Sequence, residues 1–342
     1  MIELDGSWGE GGGQILRTAL SLSSVTAKPC IVHNIRAGRS RPGLQPQHLA
    51  CVRAAAQLVR AKLSGDAVGS TFLQFVPTQS VRAGDYRFEI GTAGSAALVL
   101  HTVAVPLASA ENGSVVEISG GTHTANAPTT CDLLLAWAPA MAHFGIDAEI
   151  SAVSLGFAPK GGGELRVNIA GGTVLRGARF ISPEAVHSAT ASICTANLPQ
   201  HVGTRGADEI RRRLGRRLSV EVDIRMEAAL STGAAVTVGV ETAEAMASYH
   251  AIGERGKPME TVCQEACVPL LNWLKTGCSV DERLADQLVL PACLAEGETE
   301  FTVPRLSQHL QTVVWVARQF VDLDVSFEEQ PGSGHRVLLR KR

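Results

Sequence analysis

The sequence predicts an α+β protein of sandwich-type repeats: three units, each a small sheet covered by two helices, form a large domain, and a smaller α/β domain is inserted in the third. Three observations lead there. Strand-like and helix-like segments alternate along the chain; glycine-rich turns recur beside regular elements at GEGGGQILR (Gly9 to Arg17), GTAGSAALVL (from Gly91) and KGGGELRV (from Lys160); and the texture changes between about Arg179 and about Lys275 before the earlier pattern resumes. These boundaries give a large domain of residues 1–178 and 276–342 and an inserted domain of residues 179–275.

In order along the chain, strand character marks Val32 to Ile35, Thr71 to Val76, Tyr86 to Ile90, Val115 to Ser119 and Ala148 to Leu155. Helices are expected from Gln14, from about Gln47 (Leu49, Val52, Ala56 and Val59 share a face), from Ser95 and from Thr129. The inserted segment reads as a strand-like start, the arginine-rich TRGADEIRRRLGRR, alternating strands near Ser219 to Met226 and Ala234 to Glu241, and a helix. A helical LADQLVLPACL from Leu284, a strand at Glu300 to Val303, a helix from Ser307 and two closing strands complete the divided third unit.

Composition narrows the function classes. At 342 residues and 45% hydrophobic, the chain can bury a large core. No charged leader precedes an apolar segment at the start, and no apolar stretch approaches the roughly 20 residues that span a bilayer, so a cytoplasmic protein without a membrane partner is expected. The 8 cysteines are scattered, and Cys263 and Cys267 have helical spacing with no second pair to complete a zinc site; reduced, mostly buried thiols are expected. With a net charge of −2, a nucleic acid would have to be held by local arginine clusters, and 4% aromatic content argues against extensive base stacking. The P-loop pattern GxxxxGKS or GxxxxGKT, HExxH and HxH are all missing, which disfavours a P-loop kinase and a zinc hydrolase.

Two clusters point to an anionic guest. GEGGGQILR places a carboxylate and an arginine among four glycines at the start of a helix, and RAGRSRPGLQPQH follows from Arg36 to His48. Glycines let the main chain approach a ligand, and free amide groups at a helix start favour negative charge, so a phosphate or nucleotide is the expected guest. A short arginine run can also be a solvated turn, but the Pro-Gly step and the adjacent Gln47 and His48 favour a shaped anion site.

The combination of GEGGGQILR, RAGRSRPGL followed by Gln47 and His48, SGGT from Ser119, LADQLVLP and the lone histidine of SQHLQT resembles the RNA 3′-terminal phosphate cyclase family over nearly the whole chain. The resemblance implies the three-unit domain with an insertion, an arrangement whose repeat also occurs in enolpyruvyl transferases. It implies an enzyme, a ligase that converts an RNA 3′-terminal phosphate to a 2′,3′-cyclic phosphodiester with ATP as co-substrate, through AMP carried on a histidine. His309 stands in the matching position, and imidazole suits the task because it is largely neutral and nucleophilic at cellular pH.

By the same resemblance Arg17, Arg36 and Arg39, with Gln47 and His48, bind the phosphates and the RNA end, and Arg41 is a further candidate. Pro128, His101, Arg283, Leu284, Ala285, Asp286 and Gln287 form the ATP pocket. Asp286 and Gln287 face adenosine or the catalytic histidine, or else serve as a helix cap and polar face. Glu10 is the candidate ligand for Mg2+ or Mn2+, its alternative being a helix cap or a partner of Arg17. Two positions depart from the family pattern, His101 where glutamine is expected and Arg283 where an aromatic residue is expected; both bear on nucleotide preference. RNA, ATP and a divalent cation are the implied partners, with no obligate protein partner. RNA contact by Arg211, Arg212, Arg213, Arg216 and Arg217 stays open. A non-catalytic RNA-processing scaffold and an enolpyruvyl-type transferase are the competing readings.

Overall fold

The structure is a computed structural model, and it describes residues 1–181, 186–330 and 334–342. The first unit contains β1 (Ile2–Asp5), α1 (Gln14–Thr26), β2 (Cys30–His33), α2 (Pro46–Val59), β3 (Lys62–Ser64) and β4 (Leu73–Val76). The second contains β5 (Asp85–Glu89), α3 (Ala96–Ala108), β6 (Ser114–Gly120), a helix run made of α4 (Thr130–Asp132), a π-helical turn (Leu133–Trp137) and α5 (Ala138–His143), then β7 (Ala148–Ser154) and β8 (Gly163–Ile169).

The third opens with β9 (Arg179–Phe180) and is then interrupted by β10 (Ser188–Ala196), α6 (Gln200–Leu214), β11 (Ser219–Glu227), β12 (Gly233–Glu241), β13 (Met246–Ile252) and α7 (Met259–Trp273). It resumes with α8 (Glu282–Ala292), β14 (Glu298–Val303), α9 (Gln308–Phe320), β15 (Leu323–Gln330) and β16 (Gly334–Lys341).

All three units share one topology. The four-stranded sheets run β1-β2-β4-β3, β5-β6-β8-β7 and β9-β14-β16-β15, so within each unit the first two strands are parallel and the remaining pairs antiparallel. The equivalent parallel pairs include Ile2↔Cys30, Asp85↔Val115 and Glu300↔Arg179. Parallel neighbours need a crossover, and α1, α3 and α8 supply it. The helices then pack on one another: α1 lies against α2, α3 and α9, and α8 against α3, α5 and α9. A helix in the middle of such a layer must be apolar all round, and α3 (AALVLHTVAVPLA) is, with His101 and Thr102 its polar residues.

Two readings of the sequence need correction. The glycine turn from Lys160 does not mark a further unit; Lys160 to Gly162 belong to the β7–β8 connection inside unit two, where Gly161 and Gly162 both hold left-handed backbone (φ +70° and +74°). Arg179–Phe180 does not belong to the inserted segment, because it pairs with β14 as the first strand of unit three. A strand of two residues carries no periodicity from which to assign it.

The inserted segment has its own sheet, β11-β10-β12-β13, whose apolar face packs with α6 and α7 in a separate cluster around Ile193, Val236, Val238, Leu270 and Trp273. On α6, Arg211 pairs with Asp208, while Arg212 and Arg213 both pair with Glu209, so much of that basic run is neutralised within its own helix. Arg216 and Arg217 follow the helix end at Leu214.

Candidate active site

The start of α1, the start of α9 and the turn after β2 converge. Glycine makes this possible: Gly9 and Gly11 flank Glu10 with left-handed φ values of +61° and +57°, which other residues adopt at a cost. A Cβ on Gly9 would lie 2.6 Å from Thr312 Oγ1 of α9, and one on Gly11 would lie 2.9 Å from the backbone nitrogen of Gly38. The loop is therefore clamped between α9 and the arginine-rich turn, with Glu10 projecting from it.

Glu10 touches two nitrogen donors. Its Oε2 lies 2.7 Å from His309 Nε2, and its Oε1 accepts from Arg39 at 2.9 Å. Burial works against the Glu10 charge, but His309 and Arg39 outweigh it and hold the carboxyl below the usual range. The hydrogen bond that His309 donates to Glu10 raises the imidazole above its ordinary value, burial opposing and Asp286 assisting. Asp286 Oδ2 lies 3.8 Å from His309 Nδ1 on the other side of the ring; burial pushes this carboxyl up to about 7 against the pull of His309 and Arg17. Burial depresses Arg17, with Asp286 and Glu10 among the charges that restrain the shift.

His309 sits in the first turn of α9, whose cap Ser307 accepts from the backbone of Leu310. Its side chain remains 47% exposed, so a substrate can reach it. Gly13 caps α1 without a side-chain hydrogen bond, which leaves amide groups of that helix start free for an anion beside the same cleft.

Not every expected residue faces this cleft. Gln47 Oε1 accepts from the backbone of Ser95 at 2.7 Å and so locks α2 to the start of α3. His48 is buried, and its Nδ1 accepts from the backbone of Gln45. Burial, with Arg17 and Arg36 nearby, drives its ring down to about 3, so it is neutral and buttresses Gly13 from beneath. Arg36 donates to the carbonyls of Arg41 and Gly43 and thereby shapes the turn that presents Arg39.

A Cβ on Gly13 would stand 2.5 Å from His48 Nε2 and 2.9 Å from Arg17 Nη1. Gly13→Ala is expected to displace Arg17 and lower activity by about tenfold or more while the protein stays folded, because positioning errors of this size are costly in catalysis. Steady-state kinetics beside a thermal melt check it, and wild-type activity in the variant would count against the packing.

A second pocket adjoins the first through α8 and is lined by Pro128, Asp132, Trp137, Ser248, His250, Asp281, Arg283, Leu284 and Gln287. Asp281 caps α8 by accepting from the backbones of Arg283 and Leu284. On a helix, positions three apart share a face, so Leu284 and Gln287 meet the pocket together. Ala285 is fully buried in the core and is not among the residues that line this pocket.

His101 stacks on Trp137 with ring centroids 5.1 Å apart, and its buried Nε2 has no hydrogen-bond partner among the described residues. Burial drives this ring down to about 3, so it is neutral. Sequence reasoning missed Trp137, Asp132, Ser248 and His250. The last two come from β13 of the inserted sheet, and no spacing in the chain links them to LADQ.

The enolpyruvyl transferase NikO from Streptomyces tendae superposes with a TM-score of 0.39 at 10% identity, over 99% of this chain and 48% of that one. Curated relatives lie far nearer. The RNA 3′-terminal phosphate cyclase of Nostoc punctiforme is 39% identical over 94% of each chain, and that of Ectopseudomonas mendocina is 41% identical over 99% of this chain and 98% of its own. The protein of the same name from Methylococcus capsulatus is 40% identical over 94% of this chain and 91% of its own. A family model described as RNA 3′-terminal phosphate cyclase matches residues 8–327. Matches of this length take in both pockets and the inserted segment alike, so the chain belongs to the RNA 3′-terminal phosphate cyclase family.

Proposed function

We propose that this protein is an ATP-dependent RNA 3′-terminal phosphate cyclase that works through AMP carried on His309. The observation that carries the reading is His309 standing exposed between Glu10 and Asp286, with Arg39 on the same Glu10 carboxylate. His309 Nε2 attacks the α-phosphorus of ATP and diphosphate leaves. An oxygen of the RNA 3′-phosphate then takes the AMP, forming a mixed anhydride, and the neighbouring ribose 2′-hydroxyl closes the ring and expels AMP. Ring closure needs little beyond placement because both groups sit on one sugar. Arg17 and Arg39 offset the repulsion between the two phosphorylated substrates.

The Trp137 pocket suits the base and sugar of ATP: it adjoins His309 through α8, and His101, stacked on Trp137 behind the lining, keeps an Nε2 without a hydrogen-bond partner among the described residues. The carboxylates also fit Mg2+ or Mn2+. Such an ion takes one or two carboxylates together with phosphate oxygens, and Glu10 would supply one in place of its contacts to His309 and Arg39. Bound there with Asp286 nearby, it would neutralise phosphate charge.

The nucleophile must lose its Nε2 proton. Since Glu10 raises His309 above the ordinary 6.5, AMP transfer should increase with pH through a midpoint above that value. Glu10→Gln should move the midpoint down while lowering the plateau rate; single-turnover labelling across pH measures both, and an unmoved midpoint would acquit Glu10.

Incubation with α-labelled ATP and a divalent cation should leave acid-labile, base-stable label on the protein. Addition of RNA bearing a 3′-phosphate should then give a phosphatase-resistant end. Binding of RNA with neither product would favour a scaffold instead.

A further inference from the structure

Three side chains, two of them eight residues apart and the third 63 residues further on, meet at the junction of unit two and the inserted sheet. His123 follows β6, Cys131 lies on α4 and Cys194 on β10, and all three are buried. Cys131 Sγ is 3.7 Å from His123 Nε2 and 3.7 Å from Cys194 Sγ, and the three atoms lie within 4.8 Å of one another. Ser192 Oγ completes a fourth corner, 3.2 Å from Cys131 Sγ and 3.9 Å from Cys194 Sγ.

The two separations from Cys131 Sγ match those between the ligands of one small ion, and the remaining pair, His123 Nε2 and Cys194 Sγ, lies within 4.8 Å. With bonds of about 2.3 Å to sulfur and about 2.0 Å to nitrogen, tetrahedral zinc holds two thiolates about 3.8 Å apart, and a thiolate and an imidazole about 3.5 Å apart. The surroundings agree. His123 Nδ1 is 2.9 Å from Thr122 Oγ1, which also accepts from the backbone of Gly156, so a proton on Nδ1 would leave Nε2 free as a ligand. The ring stacks on Phe157 at 5.3 Å, which fixes its plane. Two thiolates with one divalent cation are neutral together, as a buried site requires.

We propose that His123, Cys131 and Cys194 form a structural site for a thiolate-preferring divalent cation, of which zinc is the type, with the Ser192 hydroxyl or a water in fourth place. Binding displaces the two thiol protons to solvent, with no change of oxidation state. The ion would tie β10 of the inserted sheet to α4 of unit two. It is separate in place and chemistry from the oxygen-ligated ion considered beside His309, since soft sulfur ligands select a different class of metal.

Cobalt tests this, because its thiolate complexes are coloured. Chelator-stripped full-length protein, kept reduced, should take up a single equivalent of Co2+ with a thiolate-to-metal charge-transfer band and intense tetrahedral visible bands, both abolished by added Zn2+. The Cys131→Ser/Cys194→Ser double variant should lose the charge-transfer band, and Cys263→Ser should keep it. His123→Gln retains both sulfurs and should weaken cobalt binding by about tenfold or more. Zn2+ should raise the melting temperature of the wild type and leave that of the double variant unmoved. Wild-type protein that gives no charge-transfer band would overturn the proposal without reference to any variant, as would a band that persists in the double variant.

Discussion

His309→Ala is expected to eliminate covalent AMP labelling and to reduce cyclisation by at least about 10³-fold, because it removes the proposed nucleophile and leaves only the positioning groups. Thermal stability should hardly change. His309 is half exposed, and its α9 neighbours Leu310, Val313, Val314 and Val316 keep their burial without it. Loss of label with an unchanged melt therefore separates a chemical role from a structural one. Label retained in the variant would move the nucleophile elsewhere. The same experiment weighs Asp286: its carboxyl, pushed up to about 7 by burial, lies 3.8 Å from Nδ1 and can orient the ring, so Asp286→Asn should slow labelling without abolishing it.

Asp132→Ala is expected to have the largest effect on stability. This buried carboxylate joins unit two to the inserted sheet: Oδ2 accepts from the Thr129 backbone and hydroxyl at 2.7 Å each and lies 2.6 Å from His250 Nδ1, while Oδ1 accepts from Ser248 Oγ at 2.8 Å. Removing one partner of a buried charged network strands the others, which costs about 3–5 kcal/mol. Urea unfolding measures it; a loss under about 1 kcal/mol would show that the junction does not depend on this group. Nucleotide affinity should fall as well, since Ser248 and His250 line the pocket beside Gln287.

The pH dependence has a definite sign. Burial opposes the Asp132 charge, but His250 and Thr129 prevail and hold it at about 2 against an ordinary 3.8. Its contribution is thus present above the ordinary value and lost as the pH falls through about 2.

Much of the fold was legible because local rules and global topology agree. The caps Ser95, Thr129 and Ser307 stand where the hydrophobic spacing begins, and each accepts a backbone hydrogen bond there. The alternation in β6 (Val116 and Ile118 buried) identifies a half-covered strand in the same way. What misled was glycine. At Gly9 and Gly11 left-handed backbone serves a close approach to α9 and the arginine turn, whereas at Gly161 and Gly162 it serves a turn between strands, and the letters are alike.

The sequence by itself determined the repeated alternation, the insertion that divides the third unit, the glycine-framed carboxylate and arginine at the start of α1 and the lone histidine at the start of α9. These are local properties, carried by periodicity, caps and composition within a few turns of chain. Only the tertiary structure decided that Glu10 reaches His309 across nearly the whole chain, that Gln47 and His48 brace the backbone, that Ala285 turns inward, and that His123, Cys131 and Cys194 meet. Side chains brought together by parallel crossovers and an inserted sheet share no spacing in the chain; their proximity follows from packing, which no local pattern encodes.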